Sequence, residues 1–281
     1  MELKAYAKVN FGLKILGKRK DGYHNIQSIF LPINFFDRIE LTVGARCTVP
    51  LRIEFISNSP PYGKDNLCVK SAELFLKRTK ITTAVKIRLD KQIWIGAGLG
   101  GGSSCAAKTL VGMNDLFGNP LTQEELLELA LKIGSDVPFF ISGIPSFVGG
   151  RGEIITPLPA LAEPIWLVLV YPNFSVSTKW AYSKIGNYLT KEEWDFKVLQ
   201  DLFIRGEIKG VANNLHNDFE LLVFHKYPEL QRVKEKLLEL GALGATLTGS
   251  GSCVYGIFEK EEQMEDMFPN YEVKVVNSRV V

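Results

Sequence analysis

The stretch from Ile95 to Ser104, I-G-A-G-L-G-G-G-S-S, has five glycines in ten residues and closes on two hydroxyls. Bare backbone N–H groups converge on an anion most easily where no Cβ stands in the way. A helix starting just after the glycines adds its positive end and its unpaired N–H groups. Ser103 and Ser104 add hydroxyl donors, and a hydroxyl can also ligate magnesium. A triphosphate is the natural cargo for such a cradle. A tight turn with close packing would use only one or two of the glycines.

Other glycine-rich motifs fit less well. G96-A-G-L-G-G101 formally matches GxGxxG. A dinucleotide site also needs a parallel βαβ unit and an acid about twenty positions on, and Asp115 comes too early. A P-loop needs Lys before the Ser or Thr, whereas Ser103 directly follows Gly102. Ser104 and Lys108 are four apart, and SxxK requires three.

The elements that must position this loop are legible in outline. Segment 5–16 reads as strand, Asp21-Gly22 as the turn of a hairpin, and 26–33 and 37–43 as further strands. Asp65 reads as the N-cap of a helix over 66–76, and 85–89 alternates like a half-buried strand. Ser103 or Ser104 is expected to cap a helix through 105–117 that Gly118 ends. T122-Q-E-E125 is a capping box for a helix stopped by Gly134. The second half opens near Leu158 with strand 165–170. Helical stretches follow, ending in helix 228–240 before Gly241, and then strands over 246–258 and 271–276. There is no internal repeat. The pattern predicts an α+β fold, mostly antiparallel, in two lobes spanning 1–157 and 158–281.

The 281 residues are 46% hydrophobic and 23% charged, ordinary values for a globular protein with a sizeable core. A net charge of +2 gives no support for a nucleic-acid-binding face. The first ten residues lack a signal core, and the longest apolar run, 165–171, is too short for a membrane helix. No membrane association and no obligate protein partner are expected. Cys47, Cys68, Cys105 and Cys253 are scattered without CxxC pairing, so buried free thiols in a reducing cytoplasm are expected, with no metal held by protein ligands alone.

The pattern P-x-x-x-G-L-G-G-G-S-S resembles the ATP-binding loop of the GHMP kinase superfamily. Other stretches agree in order: A7-K-V-N10, R19-K-D-G-Y-H24, G134-S-D-V-P-F-F140, G150-R-G-E153 and T248-G-S-G-S252. R-x-D-G-Y-H is similar to the branch that phosphorylates 4-diphosphocytidyl-2-C-methyl-D-erythritol on its 2-hydroxyl. The branch works in non-mevalonate isoprenoid synthesis. Trp94 departs from the pattern, standing where the family usually has proline. The resemblance implies an N-terminal lobe like ribosomal protein S5 domain 2 and a ferredoxin-like C-terminal lobe. It implies ATP and Mg2+ as cofactors and a small-molecule substrate; an N-terminal lobe of this type also occurs in ribosomal proteins, and the near-neutral charge speaks against nucleic acid as a partner. ATP contacts would come from Trp94, Ile95, Gly96, Ala97, Gly98, Leu99, Gly100, Gly101, Gly102, Ser103 and Ser104. Asp136 would be the base and Lys8 its electrostatic partner.

Spacing alone reads Asp136 as a helix N-cap and Lys8 as a surface strand residue. A cytosine asks for stacking and edge hydrogen bonds. Tyr23 and His24 offer these, and the resemblance adds Tyr182 as a second aromatic. Asn10 and Thr178 are expected polar contacts. Thr248–Ser252 reads equally as a loop closing on ligand or as a simple hairpin.

Overall fold

Runs of β-branched and aromatic residues build the opening strands β1 (Glu2–Lys18) and β2 (His24–Arg46). The computed structural model describes residues 1–46, 52–189 and 194–278, so Cys47 lies outside the described residues. Further strands are β3 (Arg52–Ser57), β4 (Thr83–Asp90), β5 (Ser146–Gly150), β6 (Ile154–Pro157), β7 (Trp166–Tyr171), β8 (Gly244–Leu247), β9 (Val254–Phe258) and β10 (Glu272–Asn277). The helices are α1 (Leu67–Thr79), α2 (Gly101–Leu116), α3 (Gln123–Ile133), α4 (Phe139–Ser142), α5 (Thr178–Lys184), α6 (Phe196–Ile204), α7 (Ile208–Asn213), α8 (Phe219–Lys226) and α9 (Pro228–Glu239). The fold is α+β with two sheets, mostly antiparallel among the described residues, and β3–β4 is a parallel pair.

The chain divides into two units. One comprises Met1–Ala7, Phe35–Ile93 and Gly100–Gly143; the other comprises Lys8–Asn34, Trp94–Leu99 and Ile144–Val281.

In the first unit, β3 and β4 run parallel with α1 as their crossover, and β4 pairs antiparallel with the second half of β2. Buried positions alternate along β4, with Val85, Ile87 and Leu89 facing inward. They are covered by helices whose inner faces carry Ala72, Phe75, Leu76, Ala106, Leu110 and Met113, all buried. The capping box of α3 forms as expected, with Thr122 and Glu125 each bonding the other's backbone.

Three local expectations are corrected. Asn66, not Asp65, caps α1, its Oδ1 accepting from Cys68 N at 2.9 Å. Asp65 is taken up in a short 3₁₀ turn, and Asn66 is the first residue to return to extended backbone. Helix α2 begins at Gly101, so Ser103 and Ser104 lie inside its first turn and cap nothing. Gly100, left-handed at φ 71°, takes the N-cap position. β2 runs unbroken where two strands were expected: residues 26–30 pair with β5 and residues from 38 on with β4, and Pro32 lies between these two stretches. Strands β3, β5 and β6 were not expected.

In the second unit, β5 and β6 extend antiparallel from the first half of β2. A separate antiparallel sheet has the order β10-β7-β9-β8, the fourth-first-third-second order of a ferredoxin-like sheet. β7 is central, which explains its continuous apolar run: Leu167, Val168, Leu169 and Val170 are all fully buried. Phe219, Leu222, Val223, Leu230, Val233 and Leu237 from α8 and α9 complete this core. Cys68, Cys105 and Cys253 are buried free thiols, and burial pushes Cys253 well above the usual thiol range.

Phe75 is wholly buried and stacks on Phe117 at 6.0 Å. Phe75→Ala should lower the free energy of unfolding in urea by about 3–5 kcal/mol, because the emptied space closes only in part.

Candidate functional site

The glycine loop is shaped by what holds its carbonyls. The Tyr171 hydroxyl donates to Ile95 O at 3.3 Å, Val176 N to Gly96 O at 3.4 Å and Cys253 N to Ala97 O at 3.2 Å. Lys8 Nζ donates to Gly98 O at 2.6 Å, and Lys8 N to Leu99 O at 3.0 Å. Five consecutive carbonyls are thus committed to protein donors. In a trans peptide the N–H points opposite to the C=O. The N–H groups of Gly96 to Gly100 are therefore turned the other way, and among the described residues they meet no acceptor. This is the arrangement of an anion nest. The first turn of α2 follows directly, with further N–H groups that no preceding turn can satisfy.

Packing uses more of the glycines than the sequence suggested. A Cβ on Gly98, whose φ is +81°, would lie 2.1 Å from Thr248 O. Gly96 and Gly101 are similarly crowded, by Ser175 and Ile93. Gly102 is different. It is exposed, its φ is unremarkable, and a Cβ there would make ordinary contact with Leu67 at 3.6 Å. Among the described residues nothing demands glycine at that position. Ser104 Oγ, in the same turn, is fully buried and has no hydrogen-bond partner among the described residues.

Lys8 is 2% exposed, so its reading as a surface strand residue is wrong. Besides Gly98 O, its ammonium meets Asn10 Oδ1 at 2.5 Å and stands 5.0 Å from the Phe30 ring. Asn10 is in turn held by Thr248 Oγ1 at 3.2 Å and by Ser28 Oγ at 2.9 Å. The Thr248–Ser252 segment joins the paired strands β8 and β9 as a hairpin, and Thr248 Oγ1 also reaches Gly98 O at 3.3 Å.

The expected nucleoside contacts fall partly together. His24 stacks on Tyr182 with centroids 5.2 Å apart, and Tyr182 meets Phe219 edge-on. Tyr23 lies in the β1–β2 turn, 50% exposed, with the Arg151 guanidinium 4.8 Å over its ring. Thr178, in the first turn of α5, shares a 3.0 Å hydrogen bond with Ser250. Burial, and to a lesser degree Lys18, holds the His24 pKa below 6.5, so the ring is neutral at pH 7.

Asp136 is half-buried just before α4. It does not cap that helix, which starts from Pro138 with no side-chain cap bond, so the N-cap reading fails. Trp94, which stands at the entry to the loop, is fixed by its own side chain. Its indole stacks on Tyr171 at 5.2 Å and donates to Glu272 at 2.6 Å. Ser28 and Asp37, both buried and polar, were passed over in the sequence. A signal for Asp37 was present: it falls in step with Phe35, Ile39 and Leu41 on the inward face of β2.

These features define an ATP-dependent small-molecule kinase of the GHMP class. The family models for the GHMP kinases N terminal domain and the GHMP kinases C terminal match residues 66–144 and 199–270. The 4-diphosphocytidyl-2-C-methyl-D-erythritol kinase of Chlorobium phaeobacteroides is 40% identical, covering 95% of this chain and 92% of its own. That of Geobacter metallireducens is 38% identical, covering 94% and 91%. A crystal structure of 4-(cytidine 5'-diphospho)-2C-methyl-D-erythritol kinase superposes with a TM-score of 0.83 at 31% identity, over 99% of this chain and 98% of that one. Mevalonate kinase from Methanococcus jannaschii, 18% identical with a TM-score of 0.73 over 99% and 97%, shares the fold. The chain belongs to the 4-diphosphocytidyl-2-C-methyl-D-erythritol kinase family.

Two glycine variants separate fold from ligand. Gly98→Ala should fail to give a stable protein, judged by circular dichroism, because a carbonyl blocks the Cβ. Gly102→Ala should keep its melting temperature but weaken nucleotide binding about tenfold by calorimetry, as an added methyl in a filled site does. For His24, an NMR titration should give a midpoint below 6.5. The unfolded ring takes its proton first as pH falls. The stability tied to the neutral ring is therefore complete above 6.5 and lost as pH drops through the folded value. His24→Phe should remove that part of the pH dependence of unfolding.

Proposed function

We propose that the chain transfers the γ-phosphoryl group of ATP to the 2-hydroxyl of 4-diphosphocytidyl-2-C-methyl-D-erythritol. The products are ADP and the 2-phosphate, in the non-mevalonate route to isoprenoids in the cytoplasm. The observation that carries the nucleotide half of this reading is the row of committed carbonyls from Ile95 to Leu99, which leaves the opposite row of N–H groups for phosphate.

Phosphoryl transfer requires that charge on the phosphates be met and the acceptor be placed in line. The loop N–H groups and the start of α2 meet the charge. The residues also fit a magnesium nucleotide: Ser104 Oγ, buried and without a protein partner, would hold the metal or a phosphate oxygen. When bound, magnesium neutralises charge on the phosphates. Asp136 accepts the proton of the 2-hydroxyl as the new O–P bond forms. Lys8 supplies a fixed positive charge that favours the developing alkoxide, and Asn10 holds that ammonium in place. The His24–Tyr182 stack supports the cytosine, with neutral His24 available to bond its edge. Tyr23 offers a ring face at the β1–β2 turn, and Thr178 a hydroxyl to the substrate.

A coupled ADP-release assay with magnesium-ATP and the cytidine substrate tests this, with wild type beside Asp136→Ala. Wild type should turn over. Asp136→Ala should bind both ligands and turn over at least ~10²-fold more slowly, the usual effect of losing a general base. Equal rates on homoserine or mevalonate would overturn the substrate assignment, and near-normal turnover by the variant would remove Asp136 from the chemistry.

A further inference from the structure

We infer that Asp37, on β2, is the positioning residue of the nucleotide loop. The inference rests on the reading of residues 94–104 as that loop. Asp37 is fully buried and accepts from four groups. Oδ1 takes Gln92 N and Ile93 N, both at 2.7 Å. Oδ2 takes Lys91 Nζ at 2.8 Å and the Cys105 thiol at 3.1 Å. One carboxylate therefore grips both ends of the loop. Oδ1 fixes the backbone where it leaves β4, and Oδ2 reaches Cys105, the residue after Ser104 in the opening of α2.

Lys91 tightens the same joint. It donates to Ile93 O at 2.5 Å, and its ammonium lies 3.0 Å from where a Cβ on Gly101 would stand. A proline ahead of the loop would have limited the backbone by its ring. Here Trp94 follows Ile93, and the turn is set from outside by an acid that spans it. A buried carboxylate is held at such a point only when its lone pairs are filled, and four donors fill them. Bonds to an ionised acceptor are the stronger kind, which suits a joint that must stay fixed while ligands exchange.

Asp37→Asn tests this. The amide keeps an oxygen for Gln92 and Ile93 but turns an NH2 toward the Lys91 ammonium. Binding of magnesium-ADP and of the cytidine substrate would be measured separately by calorimetry, with hydrogen exchange on the ligand-free protein. Loss of a charged hydrogen bond should weaken ADP about tenfold. The cytidine substrate should bind as before. Exchange should quicken across 94–104 and stay unchanged in α9. Equal weakening of both ligands, faster exchange throughout, or no change would overturn the inference. If Asp37→Asn does not fold, Cys105→Ala removes only the grip on α2 and should weaken ADP in the same direction; unchanged ADP affinity in a folded Cys105→Ala would then count against it. If wild type binds no nucleotide, the proposed function fails, and exchange across 94–104 still decides whether Asp37 orders the segment.

Discussion

The direction of the peptide dipoles between Ile95 and Gly100 is the constraint on which the rest of the site depends. A loop of this composition has no preferred shape of its own, because glycine adopts positive and negative φ almost equally. Shape is imposed by donors to its carbonyls, and they come from scattered places: a side-chain hydroxyl on β7, backbone N–H groups of residues 176 and 253, and both nitrogens of Lys8. Each N–H then points away from its own held carbonyl, and the left-handed Gly96, Gly98 and Gly100 alternate with Ala97 and Leu99 as in a nest. An anion then meets donors that need no reorganisation, which is the condition for strong electrostatic stabilisation.

Placing a lysine in this frame is costly in itself. An ammonium taken out of water is tolerated only where oxygens replace its hydration. Lys8 obtains them from Asn10 Oδ1 and Gly98 O, and the Phe30 ring adds its negative face. Asn10 is itself bound to Thr248 and Ser28, so the charge sits in a network rather than on a lone contact. The same reasoning applies to Asp37 in the other unit, where a buried carboxylate has every lone pair occupied and a lysine as counter-charge. In both cases a buried ionic side chain is held by several partners at once, and each fixes backbone beside it.

The proposed nucleoside side rests on softer terms. His24 and Tyr182 are joined by stacking, and His24 is kept neutral by burial. A neutral ring both donates and accepts, which a polar-edged pyrimidine can use and an imidazolium could not match. Tyr23, by contrast, stays half exposed under Arg151.

Much is legible in the sequence alone. The glycine spacing, the G-Y-H stretch and the capping box identified the class, the loop and several elements, because each is a local pattern acting through neighbouring residues. β7 was legible too, since a central strand must be apolar on both faces. What the sequence misplaced were matters of competition between near-equivalent neighbours: Asn66 over Asp65 at a cap, Gly100 over the serines at the head of α2, one strand in place of two across Pro32. What it could not contain were partners far along the chain. Lys8 read as a surface residue until Gly98 and Asn10 enclosed it, and Asp37 read only as the first residue of a strand although its period-two neighbours pointed inward. The physical reason is that burial and hydrogen-bond satisfaction are properties of the space around a side chain. Only the folded chain brings residues eighty or more positions apart close enough to fill that space.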